Sequence, residues 1–274
     1  MKKTKAVNMS DKLISPDYAV SLAQDGYTLA FGGNVLYRSP VKIAKKLARA
    51  GKQGLHLVKT AVALEADILC GAACVSTVSA GFVGYEINFG LCHFYRKAAE
   101  SGIIKAEEHS CYSVITALRA SVQGVPFLPI RGMLGSDLME AIGFKTVIDP
   151  YSGEELAAIR AICPDIAFIH VQKADRAGNA EIIGPTYEDL IVARSAKMLI
   201  ISCEELVDDD YFGLSKKANI SQVLTDHVVY LPGGAKPGAC EGYYDVDEQE
   251  MQCFKNLKTP EELMRYLRDE EKKE

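Results

Sequence analysis

Short, continuous apolar runs alternate along the chain with stretches whose apolar positions recur every three or four residues. Tyr27-Thr28-Leu29-Ala30-Phe31, Leu55-His56-Leu57-Val58 and Ile68-Leu69-Cys70-Gly71-Ala72 read as buried strands. So do Ile166-Ala167-Phe168-Ile169-His170-Val171, Met198-Leu199-Ile200-Ile201-Ser202 and Val228-Val229-Tyr230-Leu231. Ser39 as N-cap and Pro40 at the first helical position open a helix carried by Val41, Ala44, Leu47 and Ala48. It should stop near Gly51. Further helices are predicted over about 91–101, closed by Gly102, over about 112–123, closed by Gly124, and over about 187–196. Val125 to Ile130 is extended, and its two prolines keep it out of a sheet's centre. The tail from Pro260 to Glu274 reads as a charged, solvated helix. Apolar strands separated by helices predict an α/β fold: an open, mostly parallel sheet with helices on both faces. No linker or internal repeat divides residues 1–274, so one domain is expected.

Composition narrows the class. The 274 residues are 48% apolar and 24% charged, with 22 glycines and 10 prolines, which excludes collagen, disorder and a coiled coil. No apolar run reaches the roughly 18 residues of a membrane span. The basic start Met1-Lys2-Lys3-Thr4-Lys5 is not followed by an apolar stretch, so it does not read as a secretory signal. A net charge of −5 argues against nucleic acid as the main partner. The eight cysteines lack zinc-site spacing, and Cys70, Cys111, Cys163 and Cys203 sit in apolar segments. They are expected to be buried, reduced thiols of a cytoplasmic protein, with no metal.

In an open α/β sheet, ligands bind beyond the carboxyl ends of the strands. Gly32-Gly33-Asn34, followed by Arg38, falls there and offers backbone amides to an anion or an oxyanion. The segment Cys74 to Glu86 is rich in small and hydroxyl residues, including Ser76 and Ser79, and reads as a loop able to wrap a ligand. Glu86 is a candidate base. Arg131 to Asp137, Ala174 to Ala180 and Gly233 to Gly238, with Lys236, complete the unusual connections, and Asp175 to Asn179 has turn chemistry. His170, ending an apolar strand, reads as a satisfied core histidine. There is no G-x-G-x-x-G, no P-loop and no nucleophile elbow. The residues alone lead to a ligand-binding α/β domain.

Taken in order, these segments resemble the first (alpha) subunit of the family I CoA-transferases, in the branch of glutaconate CoA-transferase. The stretches are Phe31-Gly32-Gly33 with Arg38-Ser39-Pro40, Gly81-Phe82-Val83-Gly84-Tyr85-Glu86, and Val125 to Arg131 with Leu134-Gly135-Ser136. Ile169-His170-Val171 with Ala174-Asp175 and Gly178-Asn179-Ala180 follow, then Cys203-Glu204-Glu205, and Pro232 to Pro237 with Tyr243-Tyr244-Asp245. The resemblance runs from about residue 15 to about residue 250. It implies transfer of coenzyme A from an acyl-CoA to a carboxylic acid through a glutamyl-CoA thioester. The nucleophilic glutamate belongs to a partner beta subunit, so this chain is expected to carry no catalytic nucleophile and to be active only in a heteromer, a heterotetramer or larger. Coenzyme A would be a substrate, with no separate cofactor. The resemblance implies that Gly32, Gly33, Asn34, Arg38 and the Ser76–Glu86 loop, with Ser76, Ser79 and Glu86, line the substrate site. Gly135, Ser136 and Lys236 would touch its edge. A carboxylate at Glu86 disfavours a second acid group on the substrate unless a cation pairs with it. Two alternatives remain. One is a ring-opening hydrolase of carbon–carbon bonds in CoA esters, whose alpha-subunit glutamate aligns here with Cys111. The other is a non-catalytic metabolite-binding module.

Overall fold

The computed structural model describes residues 11–208, 210–213 and 216–272. The basic start at Met1–Lys5 and the last two residues of the tail lie outside them. The first half of the chain runs β1 (Leu13–Ile14), α1 (Pro16–Ser21), β2 (Thr28–Phe31), α2 (Val41–Arg49), β3 (Leu55–Val62), α3 (Leu64–Gly71) and β4 (Val75–Val83). It continues through α4 (Glu86–Phe89), α5 (His93–Glu100), β5 (Lys105–Glu108) and α6 (Cys111–Gln123). An excursion follows: β6 (Phe127–Ile130), α7 (Leu138–Ile142), β7 (Lys145–Ile148) and β8 (Glu155–Arg160). The remainder is β9 (Ile166–Ala174), β10 (Ala180–Glu181), α8 (Asp189–Ser195), β11 (Met198–Leu206), β12 (His227–Tyr230), α9 (Glu248–Asn256) and α10 (Pro260–Glu271).

The main sheet has the order β1-β12-β11-β9-β2-β3-β4-β5, parallel throughout except where β10 pairs antiparallel with β9. Burial on both faces explains the unbroken apolar strands. Phe168 packs with Leu29, Phe31 and Leu57 into a core under α2, α3 and α5, whereas its neighbour Ile169 packs with Ala30, Val58 and Ile201 under α6 and α8. From β2 the chain moves outward through β3, β4 and β5. It then returns to β9 and moves outward the other way, so β2 and β9 flank the point where the order reverses.

Several expectations need correction. Residues 64–71, read in part as a strand from Ile68 to Ala72, form α3. All eight of its residues are buried, so the helix carries no polar stripe to reveal its period. The hydroxyl-rich stretch from Ser76 onward is not a loop but the body of β4. Ser39 does not cap α2; Pro40 takes the N-cap, and Ser39 is buried, donating to the Val35 carbonyl and accepting from Lys59. The tail helix α10 buries Leu263 and Leu267, and Glu270 pairs with Lys45 of α2 at 2.8 Å, so it is only half solvated. The sequence pattern predicts no second sheet. The structure has one, in the order β6-β8-β7, antiparallel, with the proline-bearing β6 at its edge. All eight cysteines are free; Cys111, Cys163 and Cys253 are exposed, and the other five are buried.

Candidate active site

A cleft of about 880 Å³ opens beyond the carboxyl ends of β2, β3 and β4. Its walls come from the loop after β2 (Asn34 to Tyr37), from Ala61, from Phe82 near the end of β4, from Tyr85, Glu86, Asn88 and Phe89 after it, and from Cys111, Val246 and Glu248. Of the sequence-predicted residues, it brings together Asn34 and Glu86.

The loop after β2 is fixed from below by charge. Asp189, fully buried at the start of α8, accepts the Gly33 amide at 2.7 Å and pairs with the Arg38 guanidinium at 2.7 Å. Arg38 donates further to the carbonyls of His170 and Pro185, and only 2% of it is exposed. A desolvated guanidinium spread over several acceptors in this way holds backbone in place. It also corrects two expectations. Arg38 is an internal strut and does not line the cleft. The Gly32 and Gly33 amides are already donated, to the Phe168 carbonyl and to Asp189.

Glu86 begins α4 with φ +64°, a left-handed conformation that costs a non-glycine residue about 1 kcal/mol. Its neighbours hold it there. Tyr85 is buried and donates its hydroxyl to Asp67 at 2.5 Å, and Asp67 also accepts the Tyr95 amide at 2.7 Å. The Gly84 amide reaches the Val62 carbonyl, and Tyr85 and Gly90 close the turn through their backbones. Burial pushes the Asp67 carboxyl up to about 6, with the Tyr85 bond pulling the other way.

Cys111 stands at the first position of α6, whose start is secured by reciprocal bonds between Ser110 and Ser113. β4 approaches this helix end so closely that a Cβ on Gly81 would lie 2.3 Å from the Cys111 amide nitrogen. The Cys111 thiol sits 3.6 Å from the Thr60 carbonyl. Burial, and then the nearby Glu188 carboxylate, push its pKa up, so it is held as the thiol. Glu188 is buried and accepts from the Thr60 hydroxyl.

The remaining predicted residues lie away from the cleft. Ser76, at the opposite end of β4, bonds to the Gly54 carbonyl. Ser79 is buried between His56, at 2.7 Å, and Glu107, at 2.6 Å, because β4 is a strand and alternates its side chains. Gly135 and Ser136 form an exposed turn before α7, with the Ser136 hydroxyl donating to the Met133 carbonyl. Lys236 is exposed over the Tyr244 ring, outside the cleft lining. Asp175 forms the expected turn, accepting the amides of Gly178 and Asn179.

His170 is the satisfied core histidine that its strand position suggested. Its ring nitrogens meet Ser202 at 2.9 Å and Glu204 at 2.6 Å. Glu204 also accepts the Gly233 and Gly234 amides and the Tyr244 hydroxyl. Burial alone would raise its pKa, but these bonds bring it below the ordinary range. His170, Glu204 and Cys240 could present ligand atoms to one metal ion, all within 4.8 Å. The His170 and Glu204 atoms are already engaged in these hydrogen bonds, and a Cβ on Gly234 would lie 2.4 Å from His170 Cε1. The cluster braces the Gly233-Gly234 turn.

Residues 14–230 match the family model for coenzyme A transferase. The chain belongs to the coenzyme A transferase family. It is 32% identical to the A subunit of 3-oxoadipate CoA-transferase from Pseudomonas knackmussii, over 90% of this chain and 88% of that protein. The A subunit of glutaconate CoA-transferase from Acidaminococcus fermentans is 28% identical, over 95% of this chain and 88% of that protein. The crystal structure of that enzyme matches with a TM-score of 0.88 at 26% identity, over 94% of this chain and 88% of that one. The CoA-transferase fold also serves other named chemistries. A cholesterol ring-cleaving hydrolase IpdA subunit of Rhodococcus jostii is 30% identical over 95% of this chain and 92% of that protein. The crystal structure of a variant of the decarboxylase AibA/AibB matches with a TM-score of 0.86 at 30% identity, over 93% of this chain and 97% of that one. An uncharacterized protein of Archaeoglobus fulgidus is 34% identical over 96% of this chain, which spans 59% of that protein's length. Among the described residues, no helix is long and apolar enough to cross a membrane.

Sequence reasoning missed Asp67, Glu188, Asp189 and Glu204 as supports of the site. All four are carboxylates, a type read by default as solvated; only structure shows them buried beneath the loops.

Proposed function

We propose that this chain is the alpha subunit of a two-subunit CoA-transferase and forms one wall of an active site completed by a beta subunit. The observation that carries this reading is the match to the A subunit of 3-oxoadipate CoA-transferase over nearly the whole of both chains. The partner's glutamate attacks the acyl-CoA thioester, giving a mixed anhydride and free CoA thiolate. The thiolate attacks the glutamyl carbonyl, giving glutamyl-CoA and releasing the first acid. The acceptor carboxylate runs the two steps in reverse and leaves as acyl-CoA. Dividing the transfer in this way is covalent catalysis. Coenzyme A enters as substrate, and no other cofactor takes part. Exposed Tyr37 and Phe82 at the cleft mouth offer apolar surface to the beta subunit. The assembly is a heterotetramer or larger, in the cytoplasm.

The role of this chain is to hold the acyl body. Val35, Leu36, Ala61, Phe82, Phe89 and Val246 make the cleft apolar. Among the described residues, Glu86 and Glu248 supply its only charges, and neither lysine nor arginine lines it. A carboxylate at the far end of an acyl chain would meet like charge, a repulsion of order 1–4 kcal/mol between aqueous and near-surface dielectric limits. The preferred acids are therefore monocarboxylates with an apolar chain, although glutaconate and 3-oxoadipate in the relatives' names are dicarboxylates. With the reconstituted pair, kcat/KM for butyrate or hexanoate should exceed that for glutarate or glutaconate by at least about tenfold. Glu86→Gln should narrow the gap by raising the dicarboxylate rates. Equal rates for both classes in the native pair would contradict this reading of the cleft.

Cleavage of a carbon–carbon bond is the second reading, favoured by the 30% identity to the ring-cleaving hydrolase subunit. Cys111, held as a thiol at the cleft wall, stands where that reading needs a carboxylate.

A further inference from the structure

A second cavity, of about 590 Å³, lies between the main sheet and the small one, towards the amino ends of the strands and away from the cleft. Strand register builds it. Thr28, His56, Thr77 and Lys105 are aligned partners across β2, β3, β4 and β5, so they share one face of the sheet. Two residues further along, on the same face, Ala30 and Val58 are covered by Val114 and Leu118 of α6. The row nearer the amino ends is polar, where a parallel sheet covered on both faces is ordinarily apolar. β7 and β8 stand over this row. Lys145 pairs with Ala158, and Arg160 is two residues on, so these three share the face that lines the cavity. On the other face of β8, Ala157 and Ile159 pack against Ala117 and Ile130.

The charges are unequal. Glu107 is occupied, taking Lys105 at 2.7 Å and the Ser79 hydroxyl at 2.6 Å. The Lys145 and Arg160 side chains have no hydrogen-bond or ion-pair partner among the described residues. Burial pushes His56 down and His109 down to about 4, so both line the cavity as neutral rings, His56 held by Ser79 and Thr28 and His109 by Ser113. Phe144, edge-on to His109 at 5.4 Å, and Ile162 supply an apolar wall.

We propose that this cavity binds a small organic anion, with Arg160 and Lys145 taking a carboxylate or phosphate head and Phe144 and Ile162 taking an apolar body. Arginine is suited to the head because its planar fork matches either oxyanion in two hydrogen bonds. The volume falls within the range of small-molecule pockets, about 300–1,000 Å³. The site is separate from the transferase cleft and does not depend on the activity proposed there.

Isothermal titration of the full chain with phenyl phosphate, benzoate and uncharged benzyl alcohol tests the proposal. At least one anion should bind saturably at one site per chain and weaken with added salt, with no heat from benzyl alcohol. The tighter of the two names the head group. Lys145 and Arg160 are exposed, so the double variant Lys145→Ala/Arg160→Ala should keep its thermal midpoint and bind at least about tenfold more weakly. Absence of saturable binding by both anions, benzyl alcohol binding as well as they do, or undiminished affinity in the double variant would each overturn the proposal.

Discussion

Asp189→Ala should lower the stability of this chain by about 3–5 kcal/mol, the usual cost of removing one partner from a buried ion pair. Two losses combine. The Arg38 guanidinium is left charged in a site where the pair has side-chain exposures of 3% and 0%. The Gly33 amide also loses its acceptor. Against a typical total of about 5–15 kcal/mol, this is a large fraction. Asp189→Asn retains an acceptor for Gly33 and should fall between native and alanine. Arg38→Met combined with Asp189→Asn should lose less than Asp189→Ala, because no uncompensated charge remains. Urea midpoints with unchanged m-values would show the ordering. A fully stable Asp189→Ala would show that the strut beneath the β2 loop does not hold it.

The second large effect is expected at Gly33. Its φ is +70°, and a Cβ there would lie 2.4 Å from the Tyr37 carbonyl oxygen and 2.5 Å from the Arg38 carbonyl carbon. Both obstacles are backbone, so no rotamer change relieves them. Gly33→Ala must displace the turn that carries Asn34 and Tyr37 into the cleft. A misplacement of that kind costs about a hundredfold in rate. Gly26 is the control: its φ is +78°, but nothing lies within 4 Å of its Cβ position. Gly26→Ala should cost about 1 kcal/mol in stability and leave the rate unchanged. If the two variants transfer CoA equally well, the turn after β2 is not part of the site.

The fold was largely legible because a doubly covered parallel sheet writes itself as apolar runs, and β2, β9, β11 and β12 stand close to where those runs placed them. The glycines closing α2, α5 and α6 were legible too: Gly51, Gly102 and Gly124 all take positive φ. Period failed where no polar face existed, as in α3, and where small hydroxyl residues filled a strand, as in β4. The small sheet escaped notice because β7 is short and largely exposed and β8 buries only Ala157 and Ile159. At the site, Asn34 and Glu86 follow directly from strand ends. Ser79 does not, because its polar partners His56 and Glu107 come from neighbouring strands. Glu188 and Asp189 fall at the start of the helix predicted over about 187–196, with nothing in the sequence to mark them as buried. Their burial is set by Arg38 and Thr60, more than a hundred residues earlier in the chain.

In the proposed function, this chain shapes a transferase site whose covalent chemistry takes place on a partner. Mass spectrometry of the reconstituted pair after incubation with acyl-CoA, with and without hydroxylamine, tests it most directly. The expected result is a CoA adduct on a glutamate of the beta subunit, one equivalent of free acid released, no adduct on this chain, and irreversible inactivation by hydroxylamine. An adduct on Cys111 or Glu86, or acyl-CoA consumed by carbon–carbon cleavage with no adduct on either chain, would contradict it.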